Sequence, residues 1–251
     1  MGRHLDMSLQ ENFISHLIEL RDRLLRAGLA VGLIFIGIVP WADRLFTLLA
    51  QPMLAQLPKG GQMIATAVTT PFFVPLKVAA LAALLIALPW VLYQAWAFVA
   101  PGLYANEKRL IAPLVISSTA LFFLGMAFAY FLVFPVVFGF MVNYAPQGVT
   151  VMTDVDQYLT FVLSMFVAFG TAFETPIAVV VLVKLGVVTV EKLKEIRPYV
   201  IVGAFVVAAV VTPPDVLSQI MLAVPLCLLY EIGIFVSGFL RRQSTEIAEP
   251  R

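Results

Sequence analysis

Near-uncharged stretches of roughly 15–28 residues recur along this chain, each long enough to approach or exceed a bilayer crossing. No other feature constrains the fold as strongly. A segment inside hydrocarbon must satisfy every backbone N–H and C=O internally, so it is either a helix or part of a closed barrel. Barrel-type alternation of apolar and polar residues is absent, and 61% of the chain is hydrophobic against 12% charged. The first stretch runs from about Leu24 to Trp41. The second follows Pro71-Phe-Phe-Val-Pro75 and ends near Phe98. The third begins after Arg109, and its uncharged run reaches Thr153, too long for one helix, so Asn143-Tyr-Ala-Pro-Gln-Gly148 is read as the break. The fourth covers about Tyr158 to Leu185. The last two, Pro198 to Val211 and Val216 to Phe239, are joined by Thr212-Pro-Pro-Asp215. The expectation is an all-α polytopic membrane protein with six transmembrane helices. Several should be bent by Pro89, Pro113, Pro135, Pro176 and Pro225, giving a concave, cup-like wall.

Domain organisation follows: a cytoplasmic segment 1–23, one six-helix membrane domain 24–239, and a cytoplasmic tail 240–251. Residues 1–6 read as an expression remnant ahead of a second candidate start at Met7, and no cleavable signal peptide is expected. With the N-terminus inside, thirteen Lys and Arg fall on the inner side and three (Arg44, Lys59, Lys77) on the outer, so both termini are predicted to be cytoplasmic. Between Trp41 and Thr70, residues Leu45, Leu48, Leu49, Pro52, Met53 and Leu57 suggest a short amphipathic helix on the outer membrane surface. A net charge of +1 without a basic stripe speaks against nucleic acid. The lone Cys227 excludes an intramolecular disulfide. His4 and His16 both lie in the N-terminal region, and no metal motif or nucleophile–base pair is visible, so neither a cofactor nor an enzyme is expected.

One ionisable residue breaks the pattern. Glu174 follows seventeen uncharged residues and precedes nine more, near mid-membrane. A carboxylate there costs about 2.5 kcal/mol or more on insertion scales, and such groups usually face a cavity or a partner. Pro176, which cannot donate to the Ala172 carbonyl, adds a kink and a freed acceptor beside it. Gly170, Thr171 and Ala172 suggest an inward-facing polar spot; the plainer alternative is a protonated Glu hydrogen-bonded within the bundle. Glu19 and Arg23, four apart, are placed to pair on one helix face. Glu107 could cap the third helix. A proton- or ion-coupled secondary transporter using Glu174 is the rival functional class, weakened by the lack of an internal repeat and of a second acid at mid-depth.

The order of short motifs from His16 to Phe239 resembles TatC, the multi-span core of the twin-arginine protein translocase. They are His16-Leu-Ile-Glu-Leu-Arg, Met63-Ile-Ala-Thr, Pro71-Phe-Phe, Trp96-Ala-Phe-Val-Ala-Pro with its Glu107-Lys-Arg end, Gly125-Met-Ala-Phe-Ala-Tyr-Phe, Phe173-Glu-Thr-Pro, Arg197-Pro-Tyr and Thr212-Pro-Pro-Asp. The resemblance implies a receptor in the bacterial cytoplasmic (inner) membrane. It would bind twin-arginine signal peptides of folded cargo, self-associate, contact membrane lipids, and work with TatA- and TatB-type single-span subunits under the protonmotive force. It further implies that Glu19 and Glu107 receive the arginine pair and that Leu20, Phe98 and Pro101 line that patch. A planar guanidinium fork suits carboxylate better than a round, hydrated ammonium. Pro52, Phe72 and Asp215 match positions recurrent in the family, with Pro52 and Asp215 read as structural. Gln219 is read as an intramembrane polar contact to a partner helix. The chain ends soon after Phe239, where some relatives carry a longer charged tail.

Overall fold

The computed structural model describes residues 2–55, 63–99, 111–143, 152–212 and 215–248, and these are helical almost throughout. Helix α1 covers Gly2–Ile38, so the segment ahead of Leu24 and the first span form one rod rather than a helix starting near Leu24. A 3-10 turn, Val39–Trp41, leads into α2, Ala42–Leu54. Then come α3, Thr70–Val99, and α4, Ile111–Phe128. A π turn over Ala129–Val133 joins α4 to α5, Phe134–Asn143, which ends where the sequence placed the break. Helix α6, Val155–Phe173, gives way at Glu174 to α7, Thr175–Lys184. The short α8, Val190–Glu195, precedes α9, Arg197–Val211, and α10, Val216–Ala248. Five segments are long and apolar enough to cross a membrane, and α9 is a sixth, shorter apolar helix.

Three prolines have local consequences. Pro52, inside α2, cannot donate to the Leu48 carbonyl, and the Tyr130 hydroxyl donates to that oxygen instead, at 2.8 Å. Tyr158 adds a second tie, 2.5 Å to the Leu49 carbonyl. These bonds and the buried face Ala42, Ala50, Pro52 and Met53 hold α2 against the bundle, so Leu45, Leu49, Pro52 and Met53 pack on protein where the sequence suggested a membrane-surface helix, while Leu48 stays exposed and Leu57 lies outside the described residues. Before Pro135 the ladder widens, the Phe134 N–H reaching back five residues to the Ala129 carbonyl. Beside Pro176, the Glu174 N–H turns back to the Ala172 and Thr171 carbonyls, so the acceptor expected to be free is engaged.

The core lies between α4–α5 and α6. Phe134, Phe138, Phe161, Phe166 and Tyr158 stack there with ring centroids 5.3–6.0 Å apart. Lipid tails are as apolar as these rings, so the association depends on close packing rather than on escape from water. Two glycines permit it. A Cβ on Gly125 would lie 2.4 Å from the Phe169 carbonyl oxygen, and one on Gly170 would lie 2.4 Å from the Phe122 ring. Gly233 similarly lets α10 approach Pro176 and Val179 of α7. At the end of the bundle opposite the α1 N-terminus, Asp154 caps α6 through the Asp156 and Gln157 N–H groups and accepts from Thr66 at 2.6 and 3.0 Å. Lys77 bonds Asp156 at 2.6 Å close by.

Candidate functional site

Two carboxylates stand at different depths of the fold, and the last turns of α3 touch the surroundings of both. The upper one is Glu19, on the fifth turn of α1. Its Oε1 accepts from Arg23 Nε at 2.8 Å and Nη2 at 2.5 Å, while its Oε2 faces His16 Nδ1 at 3.9 Å. Arg23 also reaches the amide oxygen of Gln94, a buried α3 residue, at 3.4 Å. His16 stacks on Phe98 with ring centroids 4.3 Å apart and planes 13° apart. Leu20 is half-buried on the same helix. The structure thus joins Glu19 to Phe98 through His16; Glu107 and Pro101 lie outside the described residues.

The lower carboxylate is Glu174, at the joint between α6 and α7. Ser118 of α4, fully buried, donates its hydroxyl to Glu174 Oε2 at 2.6 Å and accepts from Trp96 Nε1–H at 2.7 Å. Glu174 Oε1 is buried without a hydrogen-bond partner. The arrangement is a polar relay, Trp96 to Ser118 to Glu174, across three helices. Beyond Glu174, α6, α9 and α10 frame an open groove of about 710 Å³ lined by Thr171, Ala172, Thr175, Val210, Leu222 and Leu226, among others. Glu174 does not line this groove; its Oε2 is held by Ser118 of α4.

The remaining residues singled out by sequence divide between internal and outward roles. Asp215 caps α10, its Oδ1 accepting from the Ser218 N–H at 2.6 Å, with Oδ2 buried and unpartnered. Gln219 donates to the Phe205 carbonyl of α9 at 3.2 Å, so its amide is used within the chain. Phe72 is 67% exposed. Arg23, Gln94 and Ser118 were not recognised as site residues, and Trp96 only as part of a motif. Ser118 and Gln94 carried a signal, each being a polar side chain in a run otherwise fit for lipid. Among the described residues no cluster of three or more potential metal ligands occurs.

With this geometry in hand, comparison with known proteins is informative. The family model described as "Sec-independent protein translocase protein (TatC)" matches residues 15–225. The TatC protein of Halothiobacillus neapolitanus is 56% identical over 227 residues, covering 90% of this chain but only 62% of that protein, so the chain spans less than two thirds of this relative. The Escherichia coli K12 TatC protein is 51% identical over 235 residues, 93% of this chain and 91% of its own length. A solved structure described as the crystal structure of the twin-arginine translocase receptor TatC superposes with a TM-score of 0.79 at 41% identity, covering 89% of this chain and 98% of that one.

Proposed function

Because this chain belongs to the TatC family, we propose that it is the receptor core of a twin-arginine translocase. It binds the signal peptides of folded cargo at the face carrying the α1 N-terminus and assembles there with single-span TatA- and TatB-type subunits and further copies of itself. It sits as a single six-helix domain, 24–239, in a bacterial cytoplasmic membrane with both termini inside, the orientation favoured by the asymmetry of Lys and Arg. The protonmotive force drives export, and the chain performs no covalent chemistry of its own.

The observation that carries this reading is the guanidinium on Glu19. An arginine fork already grips one carboxylate oxygen, and the other remains open beside His16 and Phe98. The site therefore has the geometry to accept an arginine from a peptide, by displacing Arg23 or by taking Oε2. Glu107 supplies the second carboxylate, with Leu20, Phe98 and Pro101 as apolar lining. Gln94 reaches the Arg23–Glu19 pair and Trp96 the Ser118–Glu174 relay, so α3 is the element the two sites share. The transporter reading is not favoured: Glu174 is tied to Ser118 between helices instead of facing the groove.

The test measures affinity for Arg-Arg and Lys-Lys signal peptides in the wild type, Glu19→Gln and Glu107→Gln. Losing a charge-assisted contact should cost on the order of 1.5–3 kcal/mol, roughly ten- to a hundredfold. Unchanged affinity and unchanged Arg-over-Lys preference in both variants would reject the receptor assignment. Reporters after Phe239 and near Gly60 should signal the cytoplasm and the outer side respectively; the reverse at either position overturns the topology.

A further inference from the structure

Helices α8, α9 and α10 enclose a second recess, of about 450 Å³, on the side of the fold where α9 begins. Its polar lining is Lys194, Arg197 and Glu231, and its apolar wall includes Ile234, Phe235 and Phe239. Arg197 donates from Nη2 to Glu231 Oε2 at 2.5 Å, but its Nε–H is buried and meets no acceptor. Glu231 thus uses one corner of a guanidinium whose adjoining edge is idle. An oxyanion that takes Nη2 in place of Glu231 gains Nε as well once that carboxylate swings aside, the two-point geometry in which arginine binds phosphate most strongly. The apolar side of the recess is open as well, with Phe235 77% and Phe239 59% exposed.

Depth separates this recess from an ordinary surface charge pair. Glu231 lies nine residues before Leu240, the end of its span, about 14 Å along the helix. Helix α9 has only 15 residues, about 22 Å, well short of the ~30 Å hydrocarbon thickness. The cations therefore sit below the end of the span, where a lipid phosphate drawn inward beside the short α9 is the nearest abundant anion and acyl chain the nearest apolar surface. Basic recesses between spanning helices are suited to acidic headgroups.

We propose that this recess is a binding site for an anionic phospholipid, its phosphate on Arg197 and Lys194 and an acyl chain along Phe235 and Phe239. Glu231 is a built-in competitor for the same guanidinium, so lipid release and the Arg197–Glu231 pair are alternatives. Only the choice of leaflet, the one facing the α1 N-terminus, depends on the orientation proposed above; binding itself does not depend on the receptor function.

The test is native mass spectrometry of the full chain, titrated with phosphatidylglycerol and with phosphatidylcholine. Wild type should retain phosphatidylglycerol about tenfold more tightly, and Arg197→Gln and Lys194→Gln should each erase most of that preference. Glu231→Gln should raise retention several-fold, because the competing carboxylate is gone. Should Arg197→Gln fail to fold, Lys194→Gln and Glu231→Gln decide, since they must move retention in opposite directions. Equal retention of the two lipids, an unchanged preference in Lys194→Gln, or a shift in the same direction for both variants would overturn the site. Displacement by millimolar inorganic phosphate would overturn the lipid in favour of a free anion. Glu19→Gln should leave lipid retention untouched, so failure here and failure of the signal-peptide reading are separable.

Discussion

Glu19 and Glu174 are both half-buried acids, yet they are held in opposite ways. Glu19 takes its partner from its own helix, one turn further on, at Arg23. Glu174 takes its partner from 56 positions away, through Ser118, which in turn depends on Trp96 of a third helix. The first contact survives wherever α1 is helical. The second exists only while α3, α4 and α6 are packed. A surface-type i,i+4 pair contributes a few tenths of a kcal/mol and exchanges readily, which suits a site that must release one arginine to take another. A buried relay is costly to leave half made, which suits a contact that senses how helices sit together.

The contrast should break most sharply at Gly125. A valine there would drive its Cβ into the Phe169 carbonyl, and backbone cannot give way as a side chain tip can. Gly125→Val should destabilise by about 3 kcal/mol or prevent folding, while a peptide of residues 14–38 keeps its helix and its Glu19–Arg23 pair. Thermal stability in detergent, beside circular dichroism and NMR of the peptide in micelles, checks both halves.

Within the relay, Ser118→Ala should cost about 1–3 kcal/mol, because it strands both the Trp96 N–H and Glu174 Oε2. Glu174→Ala should cost less, since it removes an unpartnered buried oxygen and leaves Ser118 its bond from Trp96. In export of a twin-arginine reporter the order should reverse, with Glu174→Ala the more damaging and Glu174→Gln the milder. A stability loss larger for Glu174→Ala than for Ser118→Ala would show the acid to be chiefly a packing element.

At the other site the effect is smaller and opposite in sign. Arg23→Gln frees Glu19 from an internal competitor worth a few tenths of a kcal/mol, so affinity for an Arg-Arg peptide should rise about twofold. A fall would mean that Arg23 orients Glu19 for the peptide and does not compete with it.

The smallest effect concerns pH at the outer end. The Thr66 hydroxyl, aided by the Gln157 N–H, holds the Asp154 carboxyl down from 3.8 to about 2. A depressed value stabilises the fold at pH above the ordinary one, and that contribution is lost as pH falls from about 4 through about 2. The difference in melting temperature between wild type and Asp154→Asn should stay constant from pH 7 to 5 and shrink below 4. Glu19 and Glu174 take no part in this clamp, so Asp154→Asn should leave signal-peptide affinity at pH 7 unchanged, and a loss there would show coupling from end to end.

Much of this was legible in one dimension. The near-uncharged runs gave the helices, because hydrocarbon tolerates no unsatisfied backbone and only length and apolarity are needed to read that demand. The i,i+4 spacing gave the Glu19–Arg23 pair, an interaction within one turn, whereas Asp215 is legible only as structural and the structure makes it the cap of α10. The rest was hidden for a physical reason. That α1 continues unbroken from Gly2 through the first span was missed because charge marks where a helix meets water, not where it begins. That α2 packs on protein was missed because an apolar face looks the same whether lipid or a neighbouring helix covers it; the Tyr130 and Tyr158 hydroxyls decide it.

Sequence by itself therefore determined the apolar helical spans and the acid that does not belong in lipid, since those follow from the free energy of burying each residue and its near neighbours. Only the tertiary structure decided what that acid meets. Trp96, Ser118 and Glu174 are far apart along the chain, and what brings Ser118 within 2.7 Å of each of the other two is the packing of α3, α4 and α6, with Gly125 and Gly170 permitting the close approach of α4 and α6. Inside a membrane every candidate neighbour is equally apolar, so shape, which no single stretch of chain encodes, selects the partner.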